Sequence, residues 1–463
     1  MTRSSFLTDL LSSIFERRDS RSASDDKRSV EELCAALLSE RGEASGTRMA
    51  AAVLTRYEAM VDEEKRDFFA LLAEQYDVDT DAVAEATAAY AASRSSEDLE
   101  RLLTEAEPKR QELLRRLNRA PGATGMLVRM RADLLKLHRE NPAFKRVDLD
   151  FGHLFSSWFN RGFLVLRRID WTTPANILEK IIEYEAVHAI DDWDDLRRRL
   201  FPADRRCFAF FHPSMPDEPL IFVEVALTNE IPASIQQVLA EDRPLVDEGE
   251  ASTAVFYSIS NCQQGLAGVS FGNFLIKQVA MDLSRSLPNV KTFVTLSPVP
   301  GFNRWLAQQV EEGGGSDHPD AVAISAVLSA SNEADLAGQA GELTRLAAEY
   351  LCLAKRADGH PADPVARFHL GNGARLEQIH AGADLSEKGI AASSGVMVNY
   401  LYDLNAVEAN HEAYAQSREV IAARPVRALL RERAASGRKA HGKQAHGEQA
   451  NPGQGKQRNQ EHA

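Results

Sequence analysis

The sequence predicts a two-part protein in which an all-helical bundle domain precedes a mixed α/β domain. Two observations carry this prediction. Between about Val30 and Asn160, apolar residues recur at intervals of three and four, which is the spacing of one helix face. After about Gly162 the chain changes to short runs rich in Phe and Val, typical of strands, with helical stretches between them.

Composition bounds the class of protein. The chain has 463 residues, of which 44% are hydrophobic and 26% charged, as is ordinary for a soluble globular protein. A net charge of −14 argues against a general nucleic-acid or anionic-membrane surface. The four cysteines lack zinc-site spacing, and no run approaches the roughly 20 apolar residues of a membrane span. We therefore expect a cytoplasmic protein without a metal site.

The helical part is expected over residues 31–160, after a mobile segment at residues 1–30 that is rich in Ser, Arg and Asp. Phe68, Phe69, Leu71 and Leu72 belong to one apolar helix stripe. Ser95 and Asp98 have the spacing of a helix N-terminal cap. The segment "APGATG" at 120–125 predicts a turn between helices, so we expect antiparallel packing through short loops.

The α/β part is expected over residues 161–430. A helix over "ANILEKIIEYEAVHAI" precedes four predicted strands, which are "CFAFF" (207–211), "LIFVEVAL" (220–227), "AVFYSIS" (254–260) and "KTFVTLS" (291–297). Between the last two, Leu275, Ile276, Val279 and Leu283 form a helix stripe that Pro288 stops. Residues 318–356 predict two or three helices, and "GVMVNYLYDL" (395–404) predicts a strand or a helix entry. The polar residues 431–463 are expected to be disordered.

The turn "QQGLAGVSFGN", from Gln263 to Asn273, is a candidate phosphate site. Glycines before a helix N-terminus leave backbone N–H groups and the positive end of the helix dipole open to an anion. The spacing matches neither a dinucleotide fingerprint nor a P-loop. Gly265 to Ser270 is closer to the loop with which acetyltransferases of the GNAT fold hold the coenzyme A pyrophosphate. A plain tight turn without a ligand remains the alternative.

Two side chains are candidates for catalysis. Ser297 follows the strand "FVTL" and precedes Pro298 and Pro300, which remove backbone donors and hold the chain extended. His369 precedes a Gly-Asn-Gly turn, where Asn372 is close enough in sequence to orient the imidazole. The plainer alternatives are a turn-forming serine and a structural histidine, and no G-x-S-x-G elbow marks a hydrolase nucleophile.

Five segments together resemble the malonyl-CoA decarboxylase family. They are "HPSMPDEPLIFVEVALT", "FYSISNCQQGLAGVSFGNFLIKQV", "TLSPVPGF", "FHLGNGA" and "GVMVNYLY", in that family's order from His212 to Tyr402. The resemblance implies an N-terminal helical domain used in homo-oligomerisation and a GNAT-like catalytic domain. It also implies conversion of malonyl-CoA to acetyl-CoA and CO2.

The same resemblance assigns the site residues. It implies that Ser297 and His369 are catalytic and that Tyr402 belongs to the active site. It further implies a coenzyme A-binding loop made of Ala267, Gly268, Val269, Ser270, Phe271, Gly272 and Asn273.

The expected chemistry needs no metal or organic cofactor, because the thioester carbonyl itself accepts the electrons released when the C–C bond breaks. His369 is expected to protonate C2, Ser297 to hydrogen-bond to the histidine or the carboxylate, and backbone N–H groups near Val269–Gly272 to hold the enolate oxygen. Two alternatives remain open: an acyl-CoA N-acyltransferase, and a non-enzymatic acyl-CoA sensor.

Overall fold

The structure is a computed structural model that describes residues 26–39, 43–137, 141–269, 275–312, 320–330 and 332–430. The predicted disordered tail (431–463) lies outside these residues, as does the predicted mobile segment (1–30) up to residue 25. Two compact units are present. The first comprises the chain up to Glu224 together with Ser258–Leu275, and the second comprises Val225–Tyr257 together with the chain from Ile276 onward.

The first unit begins with helices. They are α1 (Val30–Ser39), α2 (Glu43–Ala59), α3 (Asp62–Glu74), α4 (Thr80–Ser93), α5 (Ser96–Glu105), α6 (Lys109–Leu117), α7 (Ala123–Leu137) and α8 (Phe144–Trp158). The predicted stripe on α3 is confirmed, since Phe68, Phe69 and Leu72 are buried in the helical core. The predicted cap is confirmed as well, because Ser95 Oγ accepts the N–H of Asp98 at 3.1 Å.

The rest of the first unit contains β1 (Val165–Ile169), α9 (Ala175–Tyr184), α10 (Trp193–Leu200), β2 (Arg205–His212), and parts of β3 (Met215–Thr228) and β4 (Thr253–Asn261). Strand β1 pairs antiparallel with β2, and β2 is followed in the sheet by β3. Every residue of β2 is buried, so both faces of this Phe-rich strand are covered. The strand β1 was not predicted, because its two arginines and exposed face hide the alternation.

The second unit holds the ends of β3 and β4 and the strands β5 (Thr292–Thr295), β6 (Ser297–Pro298), β7 (Arg375–His380) and β8 (Met397–Leu401). Its strand order is β3-β4-β5-β8-β6, and β7 also pairs with β8. β5 runs parallel to β4, whereas β8 runs antiparallel to β5, β6 and β7. The sheet is therefore mixed.

The helices of the second unit lie between and after these strands. They are α11 (Ile235–Leu239), α12 (Leu275–Ser286, with its first residue in the first unit), α13 (Phe302–Glu312), α14 (Ala321–Ser329), α15 (Glu333–Gly338), α16 (Ala340–Cys352), α17 (Pro364–Gly371), α18 (Glu387–Ser393) and α19 (Val407–Ser417). The helices predicted over 318–356 are α14, α15 and α16. The segment at 395–404 forms the strand β8, so the first of its two predicted alternatives is correct.

The fold class predicted from the sequence is confirmed: helices α1–α8 precede the first strand, and a mixed sheet with helices follows. Among the described residues, no helix has both the length and the apolar character that crossing a bilayer would require.

Candidate active site

Ser297 lies in β6, a strand that its own sequence keeps short. β6 pairs antiparallel with β8, and Ser297 stands opposite Val398. Pro298 and Pro300 have no backbone N–H to donate to the ladder, and the strand ends at Pro298, one residue after the serine. The side chain is held at the strand end as predicted, and only 5% of the residue is exposed.

His369 lies in the helix α17. The buried side chain of Asp363 accepts the N–H of Ala366 at 2.7 Å and caps the N-terminus of this helix. At the other end, Asn372 Nδ2 donates to Phe368 O at 2.7 Å. The prediction that Asn372 orients the imidazole is therefore wrong. The Gly-Asn-Gly segment is a helix C-terminus, where the side-chain amide and the backbone N–H of Asn372 both donate to Phe368 O.

Tyr402 follows β8, and its backbone N–H donates to Phe293 O at 2.8 Å. Residues two apart along a strand share a face, so Tyr400 points the same way. The ring of Tyr400 stacks on the imidazole of His369, with centroids 4.5 Å apart and an interplanar angle of 23°. Strand β8 therefore presents two tyrosines to one histidine.

The three predicted catalytic side chains meet in one buried chain of hydrogen bonds. Tyr402 Oη lies 2.8 Å from His369 Nδ1. His369 Nε2 lies 3.0 Å from Ser297 Oγ. Ser297 Oγ donates in turn to Thr295 Oγ1 at 2.9 Å. All four residues are buried, so this chain is shielded from bulk water.

Burial decides the charge of these groups. It lowers the pKa of His369 to about 3, and the imidazole is therefore neutral near pH 7. Burial also raises the pKa of Tyr402 well above its usual range, so the phenol keeps its proton and can donate it in a hydrogen bond. In the protein without ligand, the site is thus a set of neutral polar groups.

A neutral, buried set of donors suits a reaction in which negative charge moves within the substrate. Such groups can hydrogen-bond to an oxygen that gains charge, and a histidine can transfer a proton. An ion pair would instead hold a substrate anion most tightly in its ground state, which does not accelerate the chemical step.

The predicted phosphate turn lies in the first unit, and only its first part is described. Gln264–Leu266 form a 3₁₀ turn, Gly268 has a φ of +77°, and the predicted binding residues Ser270, Phe271, Gly272 and Asn273 lie outside the described residues. Arg131 of α7 donates from Nη1 to Gly265 O at 2.7 Å and to Ala267 O at 2.9 Å.

The backbone of the turn passes so close to α7 at residue 265 that only glycine fits there. A Cβ atom at this position would lie 1.8 Å from Val128 O of α7, which is far inside any allowed contact. Arg131 is itself buried and is paired through Nε with Asp148 Oδ1 at 2.8 Å. The start of the turn is therefore fixed by a helix from the N-terminal part of the chain.

Sequence reasoning missed three residues around the histidine. Thr295 stands two residues before Ser297. Because side chains two apart in an extended chain point to the same side, the sequence could have placed the Thr295 hydroxyl near Ser297. Asp363 followed by Pro364 is a helix N-terminal signature that would have predicted α17. Tyr400 had no local signal, because its role depends on the pairing of β8 with β5.

A cavity away from the three predicted catalytic side chains has room for a small ligand. A cavity of about 460 Å³ in the second unit is lined by residues of α13, α14 and α16, and its lining includes none of Ser297, His369 and Tyr402. Within the described residues, no three His, Cys, Asp or Glu side chains are grouped so that they could hold a metal ion.

Comparison with protein families gives two matches along the chain. Residues 76–159 match the malonyl-CoA decarboxylase N-terminal domain, and residues 162–440 match the malonyl-CoA decarboxylase C-terminal domain. The mitochondrial malonyl-CoA decarboxylase of Anser anser anser is 36% identical over 399 residues, covering 78% of this chain and 79% of that relative. The Mus musculus protein of the same name is 36% identical over 404 residues, covering 79% of this chain and 82% of that relative.

Solved structures give the same result. The crystal structure of malonyl-CoA decarboxylase from Rhodopseudomonas palustris has a TM-score of 0.82 and 54% identity, covering 86% of this chain and 98% of that chain. The enzyme from Cupriavidus metallidurans has a TM-score of 0.69 and 37% identity, covering 86% of this chain and 98% of that chain.

Proposed function

This chain belongs to the malonyl-CoA decarboxylase family, and we propose that Ser297, His369 and Tyr402 form the site at which it converts malonyl-CoA to acetyl-CoA and CO2. The observation that carries this proposal is the buried chain of hydrogen bonds from Tyr402 Oη through the imidazole to Ser297 Oγ. These residues are distant in sequence, and the fold brings their reactive atoms to hydrogen-bond distance.

The reaction supplies its own electron acceptor. When the bond between C2 and the carboxylate breaks, its electron pair moves towards the thioester carbonyl, CO2 leaves, and an enolate remains. One proton added at C2 then gives acetyl-CoA. We propose that no metal or organic cofactor takes part, because the thioester already delocalises the charge.

Each catalytic side chain has one task in this proposal. His369, charged as the imidazolium when the substrate is bound, transfers one proton to C2 and becomes the neutral imidazole. Ser297 hydrogen-bonds to the imidazole or to the departing carboxylate, and Tyr402 holds the other ring nitrogen. The substrate carboxylate is itself an anion, and an anion beside the imidazole favours the imidazolium, so binding opposes the low pKa that burial gives His369.

A covalent role for Ser297 is unnecessary. Loss of CO2 leaves the acetyl group already joined to coenzyme A, so an acyl-enzyme would add a step without lowering a barrier.

The glycine turn is proposed to bind the coenzyme A pyrophosphate through residues 267–273. Three features support this: the positive φ of Gly268, the turn fixed by Arg131, and the helix α12 that follows it.

We also propose a cytoplasmic homo-oligomer that associates through the helical part. Helix α5 supports this association, since no residue of it is buried although it has an apolar face.

The test is turnover of malonyl-CoA in chelator-treated buffer, with acetyl-CoA followed by mass spectrometry. The unmodified protein should form acetyl-CoA, and His369→Asn should lower kcat by roughly 100-fold or more while coenzyme A affinity stays nearly unchanged. Ser297→Ala should also lower kcat. His360→Asn is the matched control, because His360 pairs with Tyr414 outside this site.

Other results would contradict the proposal. Binding of malonyl-CoA without turnover would indicate a sensor. Free coenzyme A that appears only when an amine is added would indicate an acyltransferase. An equal loss of turnover and of coenzyme A affinity in His369→Asn would reject the histidine as proton donor.

A further inference from the structure

We propose that Thr295 is a positioning residue that sets the direction of the hydrogen bonds through Ser297 and His369. Thr295 ends β5 and is fully buried. It begins the segment "TLSPVPGF", but no role was predicted for it from the sequence. The catalytic consequence of this inference rests on the proposed function, whereas the direction of the hydrogen bonds does not.

The position of Thr295 is fixed from two sides. Its Oγ1 accepts the backbone N–H of Tyr400 at 3.1 Å. Its backbone carbonyl accepts from Asn399 Nδ2 at 2.9 Å. Asn399 is also fully buried and holds His380 Nε2 through its own Oδ1. Because both anchors belong to β8, the Thr295 hydroxyl is held by the strand that also carries Tyr400.

The proton count then determines the direction. A serine hydroxyl has one proton, and that of Ser297 is given to Thr295 Oγ1 at 2.9 Å. The contact of 3.0 Å between Ser297 Oγ and His369 Nε2 therefore needs its proton from the imidazole. A neutral imidazole carries one N–H, so Nδ1 must accept from the hydroxyl of Tyr402, 2.8 Å away.

All the donors in this chain consequently point from Tyr402 towards Thr295. In the protein without ligand, His369 is held as the neutral tautomer with its proton on Nε2, the ring nitrogen beside Ser297. Ser297 does not donate to the histidine, so it is not arranged as a nucleophile whose proton a base removes. Without the acceptor at Thr295, the Ser297 proton would turn to Nε2 and the imidazole would carry its proton on Nδ1.

The experiment compares Thr295→Val, which keeps the shape but removes the hydroxyl, with Thr295→Ser, which keeps the hydroxyl. The tautomer of His369 is read from the ¹⁵N chemical shifts of its ring nitrogens, and His369→Asn identifies the signals. The expected result is an Nε2–H tautomer in the unmodified protein and in Thr295→Ser, and an Nδ1–H tautomer in Thr295→Val. With malonyl-CoA, Thr295→Val should lower kcat about 10- to 100-fold and leave KM within about twofold.

Thr253→Val is the matched control, since Thr253 is a buried threonine on the neighbouring strand β4. An Nδ1–H tautomer in the unmodified protein would overturn the proposal, and this measurement needs no variant to fold. Thr295→Val that keeps the original tautomer and kcat, or that loses no more activity than Thr253→Val, would overturn it as well. An unmodified protein that does not turn over malonyl-CoA would reject the proposed function, while the tautomer would still decide the role of Thr295.

Discussion

The burial of His369 makes the stability of the protein depend on pH. Its pKa of about 3 in the folded protein is below the usual value near 6.5 because the imidazole is buried. Between these two values the unfolded chain binds more protons than the folded one. The free energy of unfolding therefore rises with pH across this window. The contribution from His369 is fully present above about pH 6.5 and is lost as the pH falls towards 3.

Replacing this histidine should remove that dependence. We expect the free energy of unfolding of the unmodified protein to fall between pH 7 and pH 4.5 by on the order of 2 kcal/mol more than that of His369→Asn. Urea unfolding at the two pH values measures the difference. Parallel pH dependence in the two proteins would show that the imidazole is already charged, or exposed, in the folded state.

At this scale, sequence predicted the reactive residues but not their partners. Ser297 and His369 stand in recognisable motifs, yet their separation of 72 positions leaves their contact unpredictable from spacing. A threonine such as Thr295 is not by itself a sign of an active site, and its role follows from the pairing of β5 and β8. Asn372 was assigned to the wrong partner, because a Gly-Asn-Gly segment looks alike as an active-site turn and as a helix C-terminus.

Among the elements, α7 has a role that its apolar stripe alone does not predict. Arg131 of α7 holds the carbonyls of Gly265 and Ala267 at the start of the proposed coenzyme A turn. Arg131→Met should leave both carbonyls without this donor. We expect KM for malonyl-CoA to rise about 10-fold and KM for malonyl-pantetheine, which lacks the pyrophosphate, to change much less. Steady-state kinetics with both substrates measure this.

A second arginine on the same helix provides the control. Arg129 pairs with Glu58 at the surface, and more than half of its side chain is exposed. Arg129→Met should leave both KM values unchanged. An equal rise in KM for the two substrates in Arg131→Met would mean that the arginine stabilises the fold as a whole and does not position the turn.

Prediction of the elements succeeded where periodicity was strong. The Phe- and Val-rich runs of β2, β3 and β4 are buried on both faces and were recognised. The strand β7 was missed because its residues, "RLEQIH", are half polar and only partly buried, with a bulge between Leu376 and Gln378. The helix α17 was missed because eight residues are too few to establish a helical period.

For the whole molecule, the proposed association of chains should depend on the exposed face of α5. Leu99 and Leu103 lie one turn apart there and are 38% and 64% exposed. Leu103→Glu should give a smaller species in sedimentation velocity. When the variant and the unmodified protein are compared in the same oligomeric state, the free energy of unfolding should differ by less than about 0.5 kcal/mol. Thr104→Glu adds the same charge beside that face and should keep the original species. An identical mass in both variants would place the interface elsewhere.

The division into a helical part and a mixed α/β part could be predicted because hydrophobic period is a property of local sequence. The strand order could not, since β8 comes last in the chain and yet lies between β5 and β6. Pairing of this kind depends on packing among segments that are distant in sequence. Family resemblance supplied the candidate residues, and the sheet order explains how they meet.

The close approach of Gly265 to Val128 has a consequence for dissecting the protein. Leu266 and Val269 are buried in the same core as the helices, and so are Met215 and Leu220 of β3. The boundary near residue 160 between the two family matches is therefore a boundary of sequence description and not of folding. A fragment that begins at residue 162 would expose these apolar side chains and leave the carbonyls of Gly265 and Ala267 without their donor, Arg131. The helical part is an internal scaffold of the enzyme, which a truncation cannot remove as a module.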